Sequence, residues 1–89
     1  MPALPPSALI ARHVEKLRSQ SGVEKVEQLL HGHGFRIEGP SVTHYGRPVT
    51  EQDCYDYKQA VREVYGDAAY SFARVNFVLG GCRCPACAA

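Results

Sequence analysis

Three of the four cysteines lie close together near the end of the 89-residue chain, in the order Cys82-Arg83-Cys84-Pro85-Ala86-Cys87. A Cys-x-Cys-x-x-Cys array lets thiolates converge on one soft cation, at about 2.3 Å from each sulfur for zinc. Cu(I) also suits crowded thiolates, through softness rather than geometry. We therefore predict a metal site, with zinc as the favoured ion, formed by Cys82, Cys84 and Cys87.

A closed structural zinc site needs a fourth ligand from elsewhere in the chain. Spacing alone does not choose among the candidates, which are Cys54, His31, His33 and His44. We place Cys54 in the predicted site, although a cysteine on the apolar side of a helix also packs as a small hydrophobic residue. Cys54 joins the site only if the tail folds back against the start of its helix. For the three histidines we favour structural roles.

The segment Cys84-Pro85-Ala86-Cys87 resembles the Cys-Pro-x-Cys active site of glutaredoxin-like oxidoreductases, which implies thiol redox chemistry. In those proteins a helix follows the first cysteine, and its N-terminal dipole lowers the thiol pKa. Only Ala88 and Ala89 come after the motif here, so we expect no helix to supply that field.

Leu79-Gly80-Gly81 followed by the cysteines is similar to the layout of precursors of ribosomally made, post-translationally modified peptides. That resemblance implies that residues 1–81 are a leader and recognition domain and that Cys82 to Ala89 are the modified core. A frayed tail with incidental cysteines is the remaining alternative, although three exposed thiols would be open to oxidation.

Composition excludes several classes of function. Ten Lys and Arg against nine Asp and Glu leave a net charge of +1, which argues against nucleic-acid binding by bulk charge. A weak DNA-binding regulator of a phage or mobile element is therefore only a third hypothesis. No apolar run approaches the roughly 20 residues of a membrane helix, and the start of the chain lacks signal-peptide features, so we expect a cytoplasmic protein without membrane contact.

The sequence contains no recognisable catalytic set of the Ser-His-Asp, His-Glu-x-x-His or phosphate-loop kind. We therefore predict that the protein is not an enzyme. The favoured function is a small binding or regulatory module, an adaptor or inhibitor, that acts on another protein. A homodimer or a larger complex would satisfy the same description.

The elements that must position the cysteines are predicted from hydrophobic periodicity. It indicates helices over residues 8–19, 22–31 and 51–65, the last capped by Thr50, a strand over Phe35 to Glu38, and short strands flanking Tyr45-Gly46. Residues 70–79 alternate as a strand does. The predicted fold is α+β, with three helices and a small antiparallel sheet, and its alternative is an all-α bundle with a fourth helix over residues 68–79. The predicted organisation is a flexible arm (1–6), one globular domain (7–79) and a cysteine-rich tail (80–89).

Overall fold

The computed structural model describes residues 3–39 and 41–88, which contain five helices and three strands. The elements are α1 (Pro6–Ser21), α2 (Val23–Gly32), β1 (Phe35–Glu38), β2 (Ser41–His44), β3 (Arg47–Pro48), α3 (Glu51–Tyr65), α4 (Asp67–Leu79) and α5 (Pro85–Ala88). This architecture confirms the predicted α+β class. The described residues contain two more helices than the three predicted.

The three strands form one antiparallel sheet in the order β1-β2-β3. Tyr45 and Gly46 connect β2 to β3 with φ values of 52° and 80°, and two positive φ values in succession define the tight turn that suits a hairpin. Pro48 lies on the edge strand, where its missing N–H costs no ladder hydrogen bond. The strands predicted from Phe35 to Glu38 and around Tyr45-Gly46 are confirmed.

Helix α3 is the central element, since it packs against α1, α2, α4 and α5. It begins and ends where the sequence predicts. The Asp53 backbone N–H donates to the Thr50 hydroxyl, and the Thr50 backbone N–H donates in return to the Asp53 carboxylate at 2.7 Å. This reciprocal capping satisfies two backbone donors that would otherwise lack partners.

Residues 67–79 form a helix, so the strand predicted over 70–79 is wrong. The burial pattern gives the physical reason. Ala73 and Phe77, four residues apart, are 0% and 1% exposed, whereas Val75 and Leu79, which the strand pattern would bury with them, are 56% and 79% exposed. The chain therefore buries one helical face against α3 rather than alternate residues. This helix corresponds to the fourth helix of the all-α alternative.

The core is built around α3 by helices α1, α2 and α4, with Phe35 and Val42 entering from the sheet. At its centre Tyr57 packs in a stacked arrangement with Phe77, and the His13 ring meets both of them edge-on. His13 is 2% exposed, and its Nδ1 lies 2.7 Å from the Tyr57 hydroxyl.

The two ends of the described chain meet. Pro6, assigned to the flexible arm by the sequence analysis, is the first residue of α1, and the Leu4 backbone N–H donates to the Gly80 carbonyl at 3.0 Å. Gly81 has a φ of +87°, and a Cβ at this position would lie 2.7 Å from the Ala3 Cβ. Only glycine fits this reversal, which directs the tail back onto α3 and α4. None of the helices in the described part of the chain combines the length and hydrophobicity needed to cross a bilayer.

Candidate metal centre

The tail brings three cysteines together. The Sγ atoms of Cys82, Cys84 and Cys87 all lie within 4.8 Å of one another. Tetrahedral zinc with bonds of about 2.3 Å places its sulfurs about 3.8 Å apart, so a contraction of at most about 1 Å would close the cluster around an ion. This thiol cluster, Cys82, Cys84 and Cys87, could hold a metal ion.

Backbone hydrogen bonds hold the thiol cluster in place. After the reversal at Gly81, the Cys82 N–H donates to the Phe77 carbonyl at 3.0 Å, and the Cys87 N–H donates to the Cys84 carbonyl at 3.0 Å. The second bond belongs to the helical turn of α5, which begins at Pro85, directly after Cys84. The sequence predicts no helix to follow the Cys-Pro-x-Cys motif, and the structure has instead one helical turn of four residues that begins within the motif, after Cys84.

The side chain of Lys58 lies among the three sulfurs. Its Nζ is 2.9 Å from the Sγ of Cys84, 2.9 Å from that of Cys87 and 3.7 Å from that of Cys82. Lys58 is 0% exposed, and within the described residues it forms no salt bridge with a carboxylate. A buried ammonium needs a compensating negative charge, which a thiolate of the cluster can supply.

The pKa shifts in the thiol cluster have opposite signs. Burial works to raise the pKa of Cys84, but its contacts with the Lys58 ammonium and the backbone N–H of Cys87 outweigh burial and lower it. Burial raises the pKa of Cys87 to about 11, against the opposing effect of Lys58. For Lys58, burial is outweighed by the contacts with Cys84 and Cys87, so its pKa is raised. The contact between the Lys58 ammonium and the Cys84 sulfur therefore favours the thiolate form of Cys84.

Cys54 borders the thiol cluster without belonging to it. It lies one helical turn before Lys58 on α3, is 0% exposed, and its thiol is 3.9 Å from the Pro6 carbonyl. Burial, and then the neighbouring charge of Cys82, raise the pKa of Cys54. The tail therefore does fold back onto the start of α3, which was the condition for Cys54 to be a ligand. Its coordination of a metal stays a prediction.

None of His31, His33 and His44 lies within 4.8 Å of all three cluster sulfurs. His31 is paired with Glu27 at 3.3 Å, and His33 is 3.8 Å from Glu63. These contacts agree with the structural roles favoured for the histidines.

A second group of possible ligands, His44, Asp53 and Asp56, lies near the start of α3. Both ring nitrogens of His44 are already engaged, with Nδ1 2.6 Å from the Asp53 carboxylate and Nε2 2.9 Å from the His33 carbonyl. Each ring nitrogen therefore faces a protein oxygen rather than a position open to a metal. His44 instead ties β2 to the cap of α3 and to the end of α2.

Sequence spacing did not identify Lys58 as a contact of the thiol cluster or His13 as a buried polar residue of the core. The signals that were present are positional: Lys58 comes four residues after Cys54 on the buried face of α3, and His13 comes three residues after Ile10 and four before Leu17 on the buried face of α1. Polar residues at such positions are usually read as breaks in the apolar stripe. Here each has a buried partner that satisfies it.

Comparison with known proteins returned no matching family model, no matching curated protein and no matching solved structure. The function of the protein is therefore inferred from the geometry and chemistry of the thiol cluster.

Proposed function

We propose that the protein is a small non-enzymatic binding module in which Cys82, Cys84 and Cys87 bind one zinc ion in a closed structural site. The observation that carries the proposal is the gathering of three sulfurs within 4.8 Å of one another beside a cation, with Cys84 fully buried and Cys82 and Cys87 partly buried. Sulfurs that leave water give up hydration, and the polar partner that these three share is the Lys58 ammonium. A metal ion bound to all three would satisfy them more completely.

Charge balance favours zinc over Cu(I). Three thiolates and Zn²⁺ together carry one negative charge, which the Lys58 ammonium neutralises. Three thiolates and Cu(I) carry two, and Lys58 leaves one of them uncompensated. With Lys58 counted, three thiolates leave no net charge around Zn²⁺ and one negative charge around Cu(I), and a fourth thiolate adds one negative charge to each total. Because a buried net charge is expensive, zinc is the less costly ion in either case. Lys58 has a flexible four-carbon stem, so its ammonium can withdraw from between the sulfurs and remain beside the site.

The burial of the site supports a structural role rather than catalysis. Cys84 and Lys58 are both 0% exposed, and catalytic zinc keeps one coordination position open to water or substrate. We propose Cys54 as the fourth ligand, since it is the remaining thiol next to Cys82. All four cysteines are free thiols, which fits a reducing compartment such as the cytoplasm.

Native mass spectrometry of the full chain, purified with reductant and supplied with ZnCl₂, tests the proposal. We expect one zinc per chain in the native spectrum and none after denaturation. Cys84→Ser and Cys87→Ser should each lose the zinc, because each removes one of the three converging thiolates and a structural zinc site needs four ligands. Failure of the wild-type chain to take up zinc, or retention of zinc by both variants, would show that the thiol cluster is not a metal site.

The fourth ligand has its own test. Competition with a chromophoric chelator gives the zinc affinity of the wild type and of Cys54→Ser, and Cys54→Ala is the matched control for packing. If Cys54 coordinates the ion, both variants bind zinc at least about tenfold more weakly, a loss of about 1.4 kcal/mol. Equal affinity in all three proteins would exclude Cys54 and leave the three-cysteine site standing.

One observation favours a second candidate function, thiol redox exchange. Cys84 directly precedes the helical turn of α5 and pairs with Lys58, so it has the cationic neighbour that activates a thiolate, and Cys87 is placed to form a disulfide with it. Incubation of the zinc-free chain with oxidised glutathione should then yield an intramolecular disulfide between Cys84 and Cys87. The intact mass should decrease by the mass of two hydrogens. A chain that keeps all its thiols under these conditions contradicts redox exchange.

A further inference from the structure

The outward face of α4 is apolar. Phe72, Val75, Val78 and Leu79 are 50%, 56%, 48% and 79% exposed, and they are four of the six large apolar residues exposed in the described chain. Surface helices normally present charged residues opposite their buried face. Helix α4 buries Ala73 and Phe77 on one side and leaves an apolar stripe on the other. A contiguous exposed apolar patch of this kind is often a functional surface.

No charged side chain interrupts the stripe. The charged residues of α4 are Asp67 and Arg74. Asp67 pairs with Arg62 at 2.7 Å, and the Arg74 guanidinium donates to the Ala86 carbonyl of α5 at 3.0 Å. Covering the stripe would therefore leave no ionised group buried without a partner.

We propose that a second copy of this chain covers the stripe, and that the two α4 helices pack antiparallel about a two-fold axis. The α4 face is defined here as Ala68, Phe72, Val75 and Leu79, flanked by Ser71 and Val78. The first four residues follow the spacing i, i+4, i+7, i+11, which is that of a seam between two packed helices. The proposal rests on the proposed function only in treating the chain as a protein-binding module, since zinc takes no part in this contact.

The order of side-chain sizes along the α4 face is self-complementary. An antiparallel pair centred between Phe72 and Val75 sets Phe72 against Val75 of the partner subunit, and Ala68 against Leu79 of the partner subunit. Each larger side chain thus meets a smaller one, the arrangement that fills the space between helices. A two-fold axis makes every such contact occur twice, as an isologous interface requires.

Charges beyond the two ends of the stripe suit the same orientation. Arg12 and Arg83 line a cleft with Val78 and Leu79 at the end of α4, and neither forms a salt bridge with a described residue. At the other end, the Asp67 side chain is 82% exposed and pairs with Arg62, and the Glu63 side chain is 74% exposed and lies 3.8 Å from His33. Parallel packing would set Arg12 and Arg83 of one copy against the same two arginines of the other, and antiparallel packing avoids this repulsion.

The surface area that the two copies would bury predicts a weak, reversible dimer. From their exposed fractions, the four large side chains offer roughly 400 Å² per copy, so two copies bury about 800 Å², and the flanking residues bring the total to about 1,000 Å². Standard stable interfaces bury about 1,200–2,000 Å². We therefore expect a dissociation constant of about 10–100 μM.

Sedimentation equilibrium of the full chain over about 5–500 μM measures this association directly. We expect the mass to rise from one chain to two across that range. Val75→Glu should leave a monomer at every concentration, because the axis places the introduced carboxylate of each copy against the aromatic ring of the other. Val23→Glu is the matched control, since Val23 is a 60% exposed valine on α2, away from the α4 face. Its dimerisation should be unchanged, and circular dichroism checks that both variants are folded.

A paired exchange tests the orientation. Phe72→Lys alone should also be monomeric, and mixing it with Val75→Glu should restore a heterodimer, because the antiparallel pair sets these two positions against each other. A monomeric wild type, a dimer that survives Val75→Glu, or a mixture that stays monomeric would each overturn the proposal. Zinc content is measured on the same samples. A monomer that holds zinc counts against the dimer alone, and a dimer without zinc counts against the zinc site alone.

Discussion

His13 makes the stability of the fold depend on pH. It is 2% exposed in the core, where its Nδ1 meets the Tyr57 hydroxyl at 2.7 Å. Burial, and secondarily the positive charge of Lys16, lower the pKa of His13 from 6.5 to about 4. The folded protein therefore keeps this ring neutral at pH values where the unfolded chain takes up a proton.

The direction and size of the effect follow from proton linkage. Above pH 6.5 neither state protonates His13, so its contribution to stability is complete there. As the pH falls from about 6.5 to about 4, the unfolded chain binds more protons and the free energy of unfolding decreases. A pKa difference of about 2.5 corresponds to about 3 kcal/mol, which is a large part of the stability of a small domain.

Urea unfolding followed by circular dichroism, from about pH 7 down to about pH 4, measures this dependence in the wild type and in His13→Gln. Glutamine can still bond to the Tyr57 hydroxyl but does not titrate. Both proteins are kept reduced and free of metal, because acid also releases zinc from thiolates. The carboxylates titrate alike in both, including Asp53, whose pKa is lowered because hydrogen bonds from His44 and Thr50 outweigh its burial.

We expect the wild type to lose up to about 3 kcal/mol more than His13→Gln over this pH range. Equal losses in the two proteins would mean that His13 is protonated in the folded state, and the reasoning from its burial would fail.

Three further predictions concern the elements that position the thiol cluster. Gly81→Ala should loosen the tail, because the new Cβ meets Ala3 at 2.7 Å and the φ of +87° disfavours alanine, and alkylation of Cys84 by iodoacetamide should then be faster than in the wild type. An unchanged rate would show that the reversal does not hold the tail. Lys58→Met should slow alkylation of the same thiol at neutral pH, because the ammonium that lowers its pKa is gone, and a faster reaction would contradict the pairing. Thr50→Ala should lower the urea unfolding free energy by about 1 kcal/mol through loss of the cap, and an equally stable variant would refute that role.

Interactions between residues close together in the sequence were sufficient to predict two elements of the fold, helix α3 and the β2-β3 hairpin. Helix α3 was predicted between its cap and Gly66, and the hairpin at Tyr45-Gly46 was predicted from its turn residues. In both cases the deciding interactions join residues only a few positions apart, so spacing alone contains them. The closeness in sequence of Cys82, Cys84 and Cys87 belongs to the same category, but the convergence of their sulfurs on Lys58 depends on the contact of the tail with α3.

Tertiary packing decided what spacing left open. Residues 70–79 match both a strand and a helix, and α3 selects the helix because only that form buries Ala73 and Phe77 together. The reversal at Gly81 returns the tail to α3, and this contact gives Lys58 its thiol partners across 24 to 29 positions of sequence. No pattern of neighbouring residues in the sequence indicates a contact between side chains so far apart along the chain. A lysine on an apolar face becomes part of a site only when the fold supplies the charge that compensates its burial.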